Sequence, residues 1–87
     1  MIRVFEDSGF AKDIRLLPSA AQIKLVRCLE WLQENPFDPR LHSKPPKEPL
    51  AGLLSFRVTR DWRVIFKFIE PRLILLLRVR HRKDIYR

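Results

Sequence analysis

Cysteine, histidine and glycine are scarce in this chain, and each scarcity closes off a class of protein. The single cysteine, Cys28, has no partner for an internal disulfide, so the fold must rest on packing. Two histidines and one cysteine offer no cluster with zinc-ligand spacing. There is no Gly-rich phosphate loop, HExxH, CxxC or paired-carboxylate motif, so any catalysis is expected to need neither metal nor cofactor. No apolar run approaches the roughly 20 residues of a membrane span. No cationic segment leads into an apolar core and a small-residue cleavage site, so the expected location is the cytoplasm. Acidic residues are also in the minority, 10 against 18 Lys and Arg, which gives a net charge of +8.

What is present suits a small folded protein. At 87 residues and 46% hydrophobic content, the chain is expected to form one domain over residues 1–87. Its surplus of positive charge points to an anionic partner, with nucleic acid or an acidic protein favoured. The surplus is uneven. Residues 1–50 carry 8 basic and 7 acidic residues, net +1, whereas residues 51–87 carry 10 and 3, net +7.

Ile2 to Phe5 alternates well enough for a first strand, and Asp7 or Ser8 can cap a helix directly after it. Phe10, Ile14 and Leu17 lie on one face of that short helix, which is ended by Pro18. Ser19 is then placed to cap a second helix, with the apolar stripe Ile23, Val26, Leu29 and Leu32, ended by Asn35-Pro36. The two form a hairpin. Cys28 beside the stripe reads as a small core or edge residue, and Trp31 extends the apolar face or sits at its margin. Five prolines between 36 and 50 exclude helix or central strand there. Arg40, His42, Lys44 and Lys47 make this loop cationic, and it reads either as one wall of a groove or as a solvated connector.

From Leu53 the period changes to two. Leu54, Phe56 and Val58, then Val64, Phe66 and Phe68, alternate with polar residues as two antiparallel strands. A three-residue turn, Arg60-Asp61-Trp62, keeps both apolar sets on one face, pairs Thr59 with Arg63, and puts Arg57 and Arg63 together on the other. Leu73 to Val79 reads as a central strand with Leu73, Leu75, Leu77 and Val79 toward the helices. Arg78 and Arg80 then emerge beside Arg57 and Arg63. The expected architecture is α+β: an N-terminal strand, a two-helix hairpin, and three antiparallel strands in a curved sheet packed on the helices.

Arg57, Arg63, Arg78, Arg80, His81, Arg82 and Tyr86 form the constellation of interest. Guanidinium groups hold phosphate oxygens bidentately, and they stabilise a pentacoordinate phosphate more than its ground state. His81 is the residue of this half suited to proton transfer near neutrality, and Tyr86 could orient a phosphate or stack on a base. The same residues also suit plain binding of an acidic partner.

The element order, with Asn35-Pro36-Phe37, the segment 44–53, Phe56-Arg57-Val58, Trp62-Arg63-Val64-Ile65-Phe66 and the ending Arg80-His81-Arg82 to Tyr86, resembles the RelE/ParE toxin superfamily over nearly the whole chain. The likeness is to its RelE branch, including YoeB-like enzymes. That resemblance implies the toxin of a type II toxin-antitoxin system, an endoribonuclease cutting messenger RNA in the ribosomal A site. In that family the 2′-hydroxyl attacks the adjacent phosphate without a metal, leaving a 2′,3′-cyclic phosphate and a 5′-hydroxyl.

Carried over by position, the resemblance makes Arg57, Arg63, His81, Arg82 and Tyr86 catalytic; from their charge, Lys44, Lys47, Arg60, Arg78, Arg80 and Lys83 are expected to bind RNA or ribosome. Thr59 stands where RelE-like enzymes have a second lysine, and Lys44 where YoeB-like enzymes have glutamate. The general base is therefore open between His81 and Lys44. The expected partners are messenger RNA, the ribosome, and an antitoxin with an acidic, partly disordered segment that joins the otherwise monomeric toxin in a hetero-oligomer. The rival reading is a ParE-like toxin inhibiting DNA gyrase with no nuclease activity.

Overall fold

The computed structural model describes residues 1–45 and 52–85. The elements run β1 (Arg3–Glu6), α1 (Ser8–Ile14), α2 (Ser19–Glu34), a single 3₁₀ turn at Pro39–Leu41, β2 (Leu53–Arg57), β3 (Trp62–Glu70), β4 (Leu73–His81) and α3 (Arg82–Ile85). Asp7 caps α1 by accepting the Gly9 amide at 3.0 Å. Ser19 does not cap α2. Pro18 is the N-cap and makes no side-chain bond, so Ser19 is the first helical residue. Asn35 ends the helix in an extended conformation, as the Asn-Pro pair predicts.

The four strands lie in the order β1-β4-β3-β2. β2, β3 and β4 are antiparallel, while β1 returns to the sheet parallel to β4, so the sheet is mixed. The core lies between one sheet face and the helices. Phe10, Leu17, Ala21, Leu25, Cys28 and Leu32 meet Phe56, Val64, Phe66, Ile74, Leu76 and Val79. Burial of Cys28 raises its thiol pKa above the ordinary value, against a smaller opposing pull from Lys24. Its thiol points to the Arg57 carbonyl at 3.7 Å.

Three further details differ from the expectations. The buried stripe of α2 is Ala21, Leu25, Cys28 and Leu32, spaced by four, three and four, while Ile23 and Val26 are 74% and 61% exposed. The β2–β3 connection is longer than three residues, since Arg57 rather than Thr59 opposes Arg63 and Phe56 rather than Val58 opposes Val64. That shift is two residues, so the facing of each side chain is preserved. Val58 leaves the ladder yet stays buried.

β4 carries a bulge. Ile65 opposes Arg78 but Phe66 opposes Leu76, so Leu77 is an extra residue and the alternation resets there. Ile74, Leu76 and Val79 therefore point to the helices, and Leu73, Leu75 and Leu77, expected inside, are only half-buried. Continuous alternation would have put Val79 on the same side as Leu73.

Candidate functional site

The bulge keeps Arg78 and Arg80 on the outward sheet face with Arg57 and Arg63. Arg57, Arg63 and Arg80 oppose one another directly across β2, β3 and β4. Adjacent strands run about 4.8 Å apart, so three guanidinium-bearing positions fall in one row. The next row holds Lys44, Ser55, Ile65 and Arg78. Lys44 reaches it because the loop after α2 folds back along the β2 edge. His42 adopts a left-handed conformation (φ 52°) after the 3₁₀ turn, the Ser43 hydroxyl donates to the Pro36 carbonyl at 2.6 Å, and Lys44 exchanges both backbone hydrogen bonds with Ser55. Exposed Lys44 thus stands one row from the Arg57–Arg63–Arg80 row.

The row is not uniform. Arg57 is exposed, with no side-chain hydrogen bond or ion pair among the described residues. Arg63 is 7% exposed, and its Nη1 donates to the carbonyls of Thr59 (2.7 Å), Arg60 (2.9 Å) and Trp62 (3.3 Å). It shapes the β2–β3 loop with one nitrogen. Nε and Nη2 make no hydrogen bond among the described residues, and these are the atoms with which it can meet an anion.

Arg78 and Arg80 converge on Asp13 of α1, a residue absent from the sequence-derived constellation. Arg78 donates through Nε (2.8 Å) and Nη2 (3.0 Å), Arg80 through Nη1 (3.2 Å), and the backbone of Val79 at 2.8 Å. Asp13 is 8% exposed, and the Arg78 hydrogen bonds hold its carboxyl below the usual carboxylate range despite burial. The Arg78 guanidinium is correspondingly raised by Asp13. The signal was an aspartate three residues after Phe10 and four before Leu17, on the apolar face of its helix.

The C-terminal residues separate from the row. His81 opposes Trp62, one position out of phase with Arg63 and Arg80, so it lies on the opposite sheet side. Its ring packs edge-on against Trp62 at 5.3 Å, and its Nδ1 accepts the Lys83 amide at 3.2 Å. Arg82 is tied to the β2–β3 loop: its amide donates to the Asp61 carbonyl (2.7 Å) and its Nε lies 3.5 Å from Asp61 Oδ1. Arg60 and Lys83 are exposed. Lys47 and Tyr86 lie outside the described residues. No group of three or more His, Cys, Asp or Glu placed to hold a metal occurs among the described residues. No described helix is long and apolar enough to cross a membrane.

The same fold occurs in proteins of known structure. RelE in the archaeal RelE-RelB complex from Pyrococcus horikoshii OT3 superposes with a TM-score of 0.75 at 21% identity, covering 93% of this chain and 94% of that one. YafQ from E. coli strain BL21(DE3) gives 0.76 at 20% identity, with both chains covered in full. The YoeB/ParE toxin from Agrobacterium tumefaciens gives 0.75 at 15%, covering 92% and 98%. At these identities the likeness establishes the RelE-like fold. No curated protein matches the sequence. A family model described as the ParE toxin of type II toxin-antitoxin system, parDE, matches residues 8–86, and the chain therefore belongs to the ParE toxin family within the RelE/ParE superfamily of type II toxins.

Proposed function

We propose that this toxin is a metal-free endoribonuclease that cuts messenger RNA in the ribosomal A site. The observation that carries this reading is the row Arg57, Arg63 and Arg80, three arginine positions paired in register across β2, β3 and β4, with Arg57 exposed, Arg80 half-buried and Arg63 7% exposed. A phosphodiester laid across it meets donors from three strands. Attack by the neighbouring 2′-hydroxyl adds negative charge at phosphorus, which preorganised guanidiniums stabilise more than the ground state. The O2′–P bond forms as the P–O5′ bond breaks, the 2′-hydroxyl proton passes to water and O5′ takes one from water, leaving a 2′,3′-cyclic phosphate and a 5′-hydroxyl.

In this scheme Arg57 and Arg80 hold the non-bridging oxygens, and Arg63 contributes Nε and Nη2 while bracing its loop. Lys44, Arg60, Arg78 and Lys83 track the RNA backbone and ribosome. His81 faces the other way and holds the start of α3 rather than moving the proton. Arg82 fixes α3 to the β2–β3 loop. The expected antitoxin brings an acidic, partly disordered segment over the cationic face, in the cytoplasm, and the free toxin is a monomer.

The second reading, inhibition of DNA gyrase, draws on the ParE family match itself. Primer extension on messenger RNA from cells briefly expressing wild type, Arg57→Ala or Arg80→Ala separates the two. Discrete cuts within translated regions, reduced about 100-fold in either variant, are expected of the ribonuclease. Growth arrest without cuts, together with altered plasmid supercoiling and indifference to both substitutions, would establish the gyrase reading instead.

A further inference from the structure

We infer that Asp13 is a positioning residue for the cationic row, setting the Arg80 guanidinium, and Arg78 beside it, for phosphate contact. The inference rests on the ribonuclease reading and deepens it. Asp13 is 65 to 67 residues from its partners in sequence, on α1 rather than on the sheet that bears the site. Its Oδ2 accepts three of the four hydrogen bonds, from Arg78 Nε, Val79 N and Arg80 Nη1, and Oδ1 takes Arg78 Nη2. Oδ2 is thus shared among three donors, while Oδ1 takes one.

The consequences differ for the two arginines. Arg78 is gripped along one edge, through Nε and Nη2 together, so its plane is fixed. Arg80 is held by Nη1 alone, which also donates to the Val79 carbonyl at 3.2 Å. Its Nε and Nη2 make no hydrogen bond among the described residues, leaving one edge for a phosphate. The single negative charge beneath two positive ones lowers their mutual repulsion and still leaves the pair net cationic. β1 ends its pairing at Glu6 with Leu76, and Asp7 adds one more bond to the Leu76 carbonyl. Past that point Asp13 takes over the edge, satisfying Val79 N–H where no strand continues. Edge protection alone would need one acceptor atom, whereas this carboxylate also gathers both side chains.

Asp13→Asn keeps an acceptor and the shape while removing the charge. Single-turnover cleavage on programmed ribosomes, with Arg80→Ala and the double variant alongside and folding checked by thermal unfolding, tests the inference. The cleavage rate is expected to fall about 10-fold or more in Asp13→Asn, with less change in KM. In the Arg80→Ala background the same substitution is expected to change the rate within about twofold, because its effect runs through Arg80. An equal factor in both backgrounds, or a rate as fast as wild type, would overturn the inference.

A readout without RNA separates its failure from that of the ribonuclease reading. The Nε–Hε group of Arg78 and the Nη1 protons of Arg80, which Asp13 accepts, are expected to give sharp nitrogen–proton NMR signals in wild type that broaden in Asp13→Asn. Signals unchanged by the substitution mean that Asp13 holds neither arginine. Signals that respond in a wild-type protein that cuts no RNA show the clamp is real and the ribonuclease reading wrong, and the catalytic part of the inference falls with it.

Discussion

Asp13 and Asp38 perform the same local chemistry in two regions of the molecule with different results. Each carboxylate takes the side-on fork of an arginine, Arg78 at 2.8 and 3.0 Å for Asp13 and Arg40 at 3.0 and 2.9 Å for Asp38, and each accepts one backbone amide at 2.8 Å. Asp38 finds its partner two residues away, at the start of a 3₁₀ turn, and Arg40 lies exposed across the Trp31 ring at 4.2 Å. Asp13 finds its partners 65 to 67 residues away in sequence, on β4 beside its helix. An ion pair's weight is set by the elements it joins and by the polar groups its loss leaves dry.

The largest effect is expected from Asp13→Ala, which leaves the Val79 amide without its acceptor and sets two guanidiniums side by side. A loss of about 3 kcal/mol in urea unfolding at neutral pH is expected, with an unchanged denaturant slope. Acid sharpens the same comparison. The Asp13 carboxyl titrates below its unfolded value of 3.8, so its contribution is fully present above that value and disappears as pH falls through the lower folded value. Wild type should lose stability over that acid window, and Asp13→Ala should be flatter there. A loss at neutral pH under about 1 kcal/mol would place Asp13 with ordinary surface pairs and dissolve the contrast.

Gly9→Ala is expected to cost less, about 1 kcal/mol. A Cβ at residue 9 would lie 2.8 Å from Arg78 Cδ and 3.2 Å from the Leu77 carbonyl oxygen. Gly9 is the second residue of α1, in its first turn, where alanine gains less over glycine than in a helix interior, so the contact sets the cost by displacing Arg78 from Asp13 or shifting α1. The two substitutions should therefore be coupled: in the Asp13→Ala background Arg78 is released, and the cost of Gly9→Ala should shrink. Equal costs in both backgrounds would assign the tight approach to the Leu77 carbonyl at the bulge and not to the clamp.

The contrast between local and distant contacts also explains how much of the fold and site is legible in the chain. Strands β2 and β3 are legible because Phe56, Val64 and Phe66 alternate with polar residues, and even a two-residue error in the turn leaves Arg57 and Arg63 on the correct face. The bulge is hidden because Leu73 to Leu77 is apolar at every position, so neither parity is marked. Ile23 and Val26 draw the helical stripe away from Ala21 and Cys28, which are the buried positions. Arg57, Arg63 and Arg80 are found as a group by register. That Arg63 braces its own loop, that His81 turns to Trp62, and that Asp13 gathers Arg78 and Arg80 depend on contacts no periodicity encodes.

The smallest effect is expected from Asp38→Asn, and it is the substitution that most directly tests whether geometry alone sets an ion pair's weight. Arg40 holds the Asp38 carboxyl down to about 2, a depression that taken alone would signal a strong interaction. Because the folded value lies below the unfolded one, any stabilisation is present above pH 3.8 and is lost as pH falls toward about 2. Yet Arg40 stands in solvent, where water and salt replace the partner when the pair opens. Asparagine can still accept the Arg40 amide at the turn, and the guanidinium keeps its seat on Trp31. The urea midpoint at pH 7 should therefore move no further than its measurement error, and equally little at low and high salt. A salt-sensitive loss comparable to that of Asp13→Ala would mean that the bidentate geometry carries the energy wherever it sits, and the distinction between the two carboxylates would have to be abandoned.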